Sequence, residues 1–279
     1  MTAWQSGVRV LRPGDECLLW PLLASDPIRH CVAASRLADG GLRAESLGGE
    51  VWGFGEGELT SAVLTGANLV PIETTADARR AFGSFAVRRP RRCSSIVGPM
   101  EEVLDLWSHL ADTWGPAREV RVDQPLMVYE GPSLVEPDPA VRTVQPGEID
   151  AIFPACVAMF TEEVGVSPVA GGAGPGYRRR VAALVRAGRA FARFEEGRPV
   201  FKAEMGAVSD SACQIQGVWV DPEHRGRGLS APGMAAVVEL ALCKAPTVSL
   251  YVNSFNERAL RAYRKSGFRR VGTFATVLF

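Results

Sequence analysis

An internal repeat limits the possible folds of this chain more than any other feature. Residues 8–21, VRVLRPGDECLLWP, match residues 141–154, VRTVQPGEIDAIFP, in their Val-Arg start, their Pro-Gly-acid step and their aromatic-Pro end. Because a repeated segment usually marks a repeated structural unit, the repeat has to be recognised before any element is assigned. We therefore expect two domains that share one fold and arose by duplication.

Two further features support this division. VWGFGEGELTSAVL, from Val51, resembles FARFEEGRPVFKAEM, from Phe191, and both are typical of a strand, an acidic-glycine turn and a second strand. The Pro-rich stretch EGPSLVEPDPA at 130–140 indicates a linker. Since 279 residues suffice for two domains of about 150 residues each, we predict domains at 1–138 and 139–279.

The pattern of the second half predicts a mixed α/β sheet. Its expected helices begin after Pro146, at Tyr177 beyond the glycine-rich loop AGGAGPG, near Met234 and at Asn256. Its expected strands lie near 141–144, 189–195, 199–208, 212–220, 247–252 and 270–279. Hairpins combined with one strand-helix-strand crossover give a mixed sheet.

The first half repeats this order in outline. We expect a helix that is capped by Asp26 and runs from Pro27 to Leu37, and further helices from Thr75 and from Pro99. Expected strands precede the last two helices and end the half at 118–129.

The composition argues against several kinds of partner. The 31 basic and 31 acidic residues cancel, so no net charge attracts nucleic acid or an anionic membrane. The six cysteines are scattered without a CxxC pair, and the three histidines cannot complete a metal set with them, which favours a reducing cytoplasm. The longest apolar stretch, MAAVVELALC, contains Glu239 and is too short to span a bilayer. We expect a cytoplasmic protein without a secretion signal or a metal, whose partner is a small molecule.

The segment most suggestive of chemistry is DPEHRGRGLSAPG at 221–233, between a predicted strand and a predicted helix. Gly226 and Gly228 permit backbone conformations closed to other residues and let a ligand approach the main chain. A strand, a glycine-rich turn and a helix N-terminus together make an anion site. Arg225 and Arg227 add positive charge, so the loop is predicted to bind a phosphate.

Two common phosphate-binding patterns do not fit this loop. Gly226, Gly228 and Ala231 match the glycine spacing of the dinucleotide fingerprint, but DPEHR separates them from the strand. The next strand also ends in Asn253 rather than in an acidic residue. The P-loop pattern fails because its Gly-Lys-Ser/Thr ending is missing.

VWVDPEHRGRGLS instead resembles the acetyl-CoA-binding segment of the Gcn5-related N-acetyltransferases (GNATs), whose signature is Gln/Arg-x-x-Gly-x-Gly/Ala after a strand. Arg225 and Gly228 fit this signature, and Ser230, which we also expect to cap the next helix, stands where the family has Gly or Ala. LYVNSFNERALRAYRKSGF is similar to the second family signature, with matches at Leu250, Val252, Asn256, Ala259, Tyr263, Gly267 and Phe268. The whole chain is similar to tandem-domain actinobacterial members whose N-terminal half is a degenerate copy.

The resemblance implies a role for each part of this segment. Val218, Trp219 and Val220 would pair with the pantetheine arm of acetyl-CoA, and Asn256 would contact the arm from the other side. The pyrophosphate would be held by the loop amides, namely those of Arg225, Gly226, Arg227, Gly228, Leu229 and Ser230. The first half has ETTADARR at the corresponding place, without a glycine, so we expect it to have lost the cofactor loop.

Direct acyl transfer to an amine needs a base for the amine and a proton for the leaving thiolate. An alkylamine with a pKa of about 10.4 is mostly protonated at neutral pH. Tyr263, which is neutral at that pH, is the candidate acid. The candidate bases are Glu204, in the strand VFKAEMGAV, and the pair Glu162 and Glu163 at the end of the first helix of the second half, of which Glu163 is favoured. The sequence leaves the choice between them open.

We therefore predict an acetyl-CoA-dependent N-acetyltransferase that modifies a primary amine of a small molecule, peptide or protein in a ternary complex. The main alternative is a non-catalytic module that binds a CoA thioester or presents the first half to a partner protein. A dinucleotide oxidoreductase is the third reading. The identity of the amine, the acyl chain and the oligomeric state stay open at this point.

Overall fold

The computed structural model describes residues 4–279, which divide into two compact units. The first unit contains the chain up to Leu126 together with Tyr251–Ser254 and Arg270–Phe279. The second unit contains Met127–Leu250 and Phe255–Arg269. Neither unit is therefore one continuous segment of the sequence.

The elements are numbered along the described part of the chain. The strands are β1 (Trp4–Val10), β2 (Val51–Leu64), β3 (Asn68–Ile72), β4 (Ser95–Pro99), β5 (Glu119–Tyr129), β6 (Arg142–Thr143), β7 (Ala190–Glu195), β8 (Arg198–Val208), β9 (Cys213–Val220), β10 (Val248–Tyr251) and β11 (Phe268–Leu278). The helices are α1 (Glu16–Ser25), α2 (Cys31–Gly40), α3 (Ala44–Leu47), α4 (Ala76–Ala86), α5 (Met100–Ser108), α6 (Ala111–Trp114), α7 (Ile149–Val164), α8 (Gly174–Arg186), α9 (Ser230–Leu242) and α10 (Glu257–Lys265). The mixed α/β class predicted from the sequence is confirmed.

The internal repeat has the same local structure in both copies. A strand leads through a Pro-Gly turn into a helix, as β1 and α1 in one copy and as β6 and α7 in the other. Each helix contains a proline at the repeated position, Pro21 in α1 and Pro154 in α7. Proline removes a helical hydrogen bond, so its presence at the same place in both copies supports a tandem duplication.

Neighbouring strands of the first unit follow the order β1-β2-β3-β4-β11-β5. β3 and β4 pair in parallel, whereas β1 with β2, β2 with β3 and β4 with β11 pair antiparallel. β2 doubles back on itself as the sequence predicts, since the Thr65 amide donates to the Glu50 carbonyl at 2.7 Å. Apolar side chains of α1 and α2 form one core cluster, and those of α4 and α5 form a second, which includes Phe82 and Leu106.

Neighbouring strands of the second unit follow the order β10-β9-β8-β7-β6. β7 and β8 form the expected hairpin, whose two turn residues, Glu196 and Gly197, have φ of +48° and +77°. Two left-handed residues are what a tight hairpin turn of type I′ requires. α7 and α9 each contact β8 and β9, so these two strands form the centre of the unit.

The Pro-rich stretch that was predicted to be a linker packs within the second unit. Asp138 is 9% exposed, and its amide donates to the Pro232 carbonyl at 3.0 Å. Its carboxylate accepts from Arg193 at 2.9 Å. The stretch is thus held in place by these hydrogen bonds, while the domain limits 1–138 and 139–279 stay a prediction.

Two predicted helices begin elsewhere. The helix expected at 27–37 is wrong at its start, because α2 begins at Cys31 and the Asp26 carboxylate accepts from the amides of Ile28 and Arg29 in a turn. Asp26 instead ends α1, a helix that the pattern did not predict. α8 begins at Gly174, earlier than expected, since proline is well tolerated in a first turn.

None of the described helices is long and apolar enough to cross a membrane. The six cysteines of the chain form no disulfide with one another. The cytoplasmic location stays a prediction.

The position of α9 against β8 depends on Gly233. A Cβ at this residue would lie 2.8 Å from the ring of Phe201, which is 0% exposed. We expect Gly233→Ala to lower the free energy of unfolding by about 1–3 kcal/mol through overpacking, although alanine forms helices more readily. Denaturant titration measures the change, and adding Phe201→Leu should restore part of the loss. A more stable single variant would contradict the close contact.

Candidate functional site

β9 changes its pairing with β8 just before the predicted cofactor strand. Lys202 on β8 pairs with Trp219, whereas Glu204 pairs with Gln216, so β9 has one residue more than β8 between these pairs. Gly217 lies in this β-bulge with φ +60°. Bulges re-aim the side chains and backbone that follow them, and they occur often beside active sites.

The strand after the bulge has a free edge. β9 pairs with β10 in the described residues only at Cys213 and Gln214. Beyond this point the edge of Val218–Val220 that faces away from β8 has no partner strand within residues 4–279. A free strand edge is what an extended ligand with amide groups needs, and the pantetheine arm of CoA is such a ligand.

The loop after β9 leaves a run of backbone amides without acceptors. Among the described residues, the amides of Gly226–Ala231 donate to no carbonyl and to no side chain. Gly226 and Gly228 have φ of +81° and +79°, and a Cβ on either would meet open space. Consecutive free amides before a helix form an anion-binding concavity.

The predicted helix cap is wrong. α9 begins at Ser230, and the residue before it, Leu229, occupies the cap position without a side-chain hydrogen bond. Ser230 therefore lies in the first turn, where its hydroxyl does not satisfy the helix amides. The lack of a capping side chain leaves these amides available to a ligand.

Glu162 fixes the start of the loop. Its carboxylate accepts from Arg225 at 2.7 Å and from the Trp219 indole nitrogen at 3.2 Å. Arg225 also donates through Nε to the carbonyl of Val220 at 3.0 Å. Arg227 has no carboxylate partner among the described residues. Arg225 thus ties the loop to β9 and α7, and Arg227 carries the charge that a ligand can use.

The corresponding loop of the first unit, ETTADARR, satisfies its own amides. The amide and hydroxyl of Thr74 donate to Glu102 at 2.9 Å and 2.6 Å. The Thr75 amide donates to Ser61 at 3.3 Å, and the Ala78 amide donates to the Thr75 side chain at 3.2 Å. A carboxylate and two hydroxyl groups of the protein thus accept hydrogen bonds from these amides. The corresponding amides of the second unit have no acceptor among the described residues.

Asn256 is the N-cap of α10 rather than its first residue. Its Oδ1 accepts from the Ala259 amide at 3.2 Å. The carboxamide nitrogen takes no part in this bond and can still donate, so the cap does not prevent the contact with the pantetheine arm that the resemblance implies.

Glu204 belongs to a buried ion pair. The ammonium group of Lys202 lies 2.6 Å from Glu204 Oε1 and donates to the carbonyl of Gly217 at 3.0 Å. Burial opposes the charged form of both groups, but their mutual attraction is stronger, so the pKa of Glu204 is lowered and that of Lys202 is raised. A carboxylate held in this way is a poor proton acceptor at neutral pH, which argues against Glu204 as the base.

The charge of Glu163 acts on the candidate acid, Tyr263. Tyr263 is 7% exposed, and burial followed by the negative charge of Glu163 raises its pKa. Glu163 lies at the exposed C-terminal end of α7, next to Glu162. Of the candidate bases, Glu163 is the one whose charge affects the pKa of the candidate acid.

Comparison with known families agrees with this geometry. Residues 166–268 match the model of the Acetyltransferase (GNAT) family, and this range contains the bulge, the loop and Tyr263. Over this range the chain is similar to the GNAT family. Residues 49–152 match the model of a domain of unknown function, DUF4081. None of the curated proteins matches the chain.

Solved structures show that the GNAT fold extends over the whole chain. A GNAT-family acetyltransferase from Colwellia psychrerythraea is 12% identical, with 98% of this chain and 99% of that chain covered and a TM-score of 0.58. A GCN5-related N-acetyltransferase from Sphaerobacter thermophilus is 18% identical over 97% and 95% of the two chains, with a TM-score of 0.56. A tandem GNAT protein from the clavulanic acid biosynthesis pathway is 12% identical over 97% and 98%, with a TM-score of 0.54. The tandem arrangement is confirmed.

Sequence reasoning missed two residues that shape this site, Lys202 and Gly217, which hold the bulge. It named Glu162 with Glu163 as a candidate base but missed that Glu162 holds Arg225. A glycine inside the strand QIQGVWV is a signal of a bulge, and two opposite charges two apart in the apolar strand VFKAEMGAV are a signal of a buried pair. The partner of Glu162, Arg225, had no comparable signal, since it lies far along the chain.

Among the described residues, no group of three or more His, Cys, Asp or Glu side chains could hold a metal ion.

We expect Glu204→Gln to lower the free energy of unfolding by about 3–5 kcal/mol, because it leaves the buried ammonium group of Lys202 without its counter-charge. Chemical denaturation at neutral pH measures the loss. The double variant Lys202→Met/Glu204→Leu should recover most of it, since a buried ion pair and apolar residues of similar volume have similar stability.

The pH dependence follows from the two shifts. Because the pKa of Glu204 is lowered in the folded protein, its charge stabilises the fold at pH values above the ordinary carboxyl pKa of 4.5. This stabilisation is lost as the pH falls through the lowered pKa. Because the pKa of Lys202 is raised, its charge stabilises the fold at pH values below 10.5, and this stabilisation is lost as the pH rises through the raised pKa.

For the variant Glu204→Gln, a loss of unfolding free energy under about 1 kcal/mol would contradict the buried pair.

Proposed function

We propose that the second unit is an N-acetyltransferase that transfers the acetyl group of acetyl-CoA to a primary amine of a small molecule, peptide or protein by direct attack in a ternary complex. The observation that carries this proposal is the run of amides without acceptors at Gly226–Ala231, which follows the free edge of β9. The match of residues 166–268 to the GNAT family model supports it, because this family uses acetyl-CoA as co-substrate.

The loop can supply enough free energy to hold a pyrophosphate. Each hydrogen bond from an amide to a charged oxygen contributes roughly 1.5–3 kcal/mol, and the dipole of a helix such as α9 adds about 0.3–1 kcal/mol. Arg227 adds a full positive charge without a carboxylate competing for it among the described residues. A neutral ligand would gain little from these groups, so they favour a ligand with phosphate groups.

The proposed reaction uses Glu163 and Tyr263. Glu163 accepts a proton from the substrate ammonium group, which frees the electron pair of the nitrogen. The nitrogen forms a bond to the acetyl carbonyl carbon as the carbon-sulfur bond breaks. Tyr263 donates its proton to the leaving sulfur and regains one from the acylated nitrogen. The raised pKa of Tyr263 supports this role, because its hydroxyl stays protonated at neutral pH.

We expect Gly228→Val to weaken acetyl-CoA binding by about 100-fold or more, which corresponds to roughly the loss of one or two amide contacts. The backbone at Gly228 has φ +79°, which a β-branched residue does not adopt without strain. Isothermal titration calorimetry measures the affinity. Gly57→Val is the matched control, since Gly57 has φ +77° and open space around it but lies in the first unit. Equal losses in both variants, or no heat of binding in the unaltered protein, would refute the proposed cofactor loop.

We expect Tyr263→Phe to lower kcat by about 100-fold or more, as is usual when a general acid is removed, without changing acetyl-CoA affinity. The assay detects acetylated products by mass spectrometry across a panel of amines. Tyr177→Phe is the control, because the Tyr177 hydroxyl donates to the Cys156 carbonyl at 2.9 Å and has no proposed role in the reaction. Unchanged turnover in Tyr263→Phe would rule out the acid role.

The ion pairs of two candidate bases favour one alternative. With Glu204 paired to Lys202 and Glu162 to Arg225, the proposed base is the exposed residue Glu163, and a module that only binds CoA thioesters needs no base. This alternative predicts acetyl-CoA binding without product on any amine. Turnover on a single amine that is sensitive to Tyr263→Phe decides for the enzyme.

A further inference from the structure

A cavity of about 480 Å³ lies in the first unit, away from the loop ETTADARR. Gly66 and Ala67, which line it, come directly before β3, and Arg92 and Cys93 come shortly before β4. Because β3 and β4 are parallel, both amino ends lie at the same edge of the sheet. ETTADARR follows the carboxyl end of β3, so the cavity is distinct from the degenerate cofactor position.

Two tryptophans give the cavity an aromatic wall. Trp52 and Trp114 both line it, together with apolar side chains that include Leu69. The indole nitrogen of Trp52 donates to Glu50 at 3.0 Å. The indole nitrogen of Trp114 is buried and has no acceptor among the described residues. A buried donor without an acceptor is unfavourable, and a ligand oxygen in the cavity could accept from it.

Three arginines of the run RRPRR line the same cavity, namely Arg89, Arg91 and Arg92. None of them has a carboxylate within 4.0 Å among the described residues, and Glu50 is the one acidic residue in the lining. Arg89 stacks on Phe85, 3.5 Å from the ring centre, and Arg91 on Phe279, 4.2 Å from it. These rings orient two guanidinium groups without neutralising them, so the lining carries a net positive charge.

We propose that this cavity binds a small organic anion with a flat aromatic body, whose ring packs on the tryptophans and whose carboxylate or phosphate faces the arginines. The volume lies within the range of small-molecule sites, which are mostly apolar with a few polar groups that fix orientation. Guanidinium groups recognise carboxylates and phosphates alike through paired hydrogen bonds. The site is independent of acetyl-CoA and of the reaction proposed for the second unit.

The binding test uses two aromatic anions and their neutral counterparts. Calorimetry with 1-naphthoate and with AMP tests the carboxylate and the phosphate, while 1-naphthalenemethanol and adenosine test the ring alone. We expect at least one anion to bind with a Kd below about 1 mM and its neutral counterpart to bind about tenfold more weakly or not at all. The anion that binds more tightly identifies the preferred anionic group. Failure of both anions, or equal binding of the neutral compounds, overturns the proposal.

Arg92→Gln and Arg88→Gln form a matched pair for this test. Both residues are exposed members of RRPRR, but Arg92 lines the cavity and Arg88 does not. We expect Arg92→Gln to weaken binding of the anion about tenfold or more, and Arg88→Gln to change it less than about twofold. Unchanged melting temperatures and unchanged acetyl-CoA binding separate this result from unfolding and from failure of the acetyltransferase proposal.

Two outcomes of the variants contradict the proposal. Equal losses in Arg92→Gln and Arg88→Gln would mean that the run acts only through its overall charge. Tighter binding of a short oligothymidylate than of either small anion, with both variants weakening it, would indicate a nucleic-acid surface instead. Trp114→Phe adds a third measurement, because phenylalanine keeps an aromatic ring but lacks the buried indole donor. Unchanged binding in this variant would contradict a hydrogen bond from the Trp114 indole to the ligand.

Discussion

The buried ion pair of Lys202 and Glu204 holds the second unit at the point where β9 departs from regular pairing. The ammonium group of Lys202 contacts both the carboxylate and the carbonyl of Gly217, so it links the two strands across the bulge. Burial of either charge alone would cost several kcal/mol, and each group therefore depends on the other. The direction of Val218–Val220, and with it the position of the loop that follows, depends on this bulge.

The two units show how one fold can differ at a single loop. In the second unit, two left-handed glycines and a helix start without a capping side chain leave the amides of Gly226–Ala231 without acceptors in the part of the chain that the structure describes. In the first unit, Glu102 and the hydroxyls of Ser61 and Thr75 accept from the loop amides. A free amide run is unfavourable without a ligand, so a unit that does not bind one is more stable with its own acceptors.

Several site features could be predicted from the sequence because they depend on neighbours along the chain. The strand, the glycine-arginine loop and the helix around Gly226 and Gly228 follow from local pattern, and both glycines have the left-handed conformation that the motif suggests. The wrong helix cap at Ser230 and the unexpected ion pair of Glu204 have a different reason. Whether Ser230 caps α9 depends on the exact residue at which the helix begins, and whether Glu204 faces a cleft or a lysine depends on which face of β8 is buried.

The sequence by itself determined the duplication, the order of strands and helices in the second half and the type of loop, because periodicity, turn residues and repeats act over short distances. Only the tertiary structure decided which charges meet. Glu162 and Glu163 are adjacent in sequence, yet Glu162 binds Arg225, whereas the charge of Glu163 raises the pKa of Tyr263. The arginines of RRPRR likewise line a cavity only because the pairing of β3 with β4 brings distant segments of the chain together. Electrostatic partners and cavities arise from contacts between residues far apart in the chain, and no local pattern specifies them.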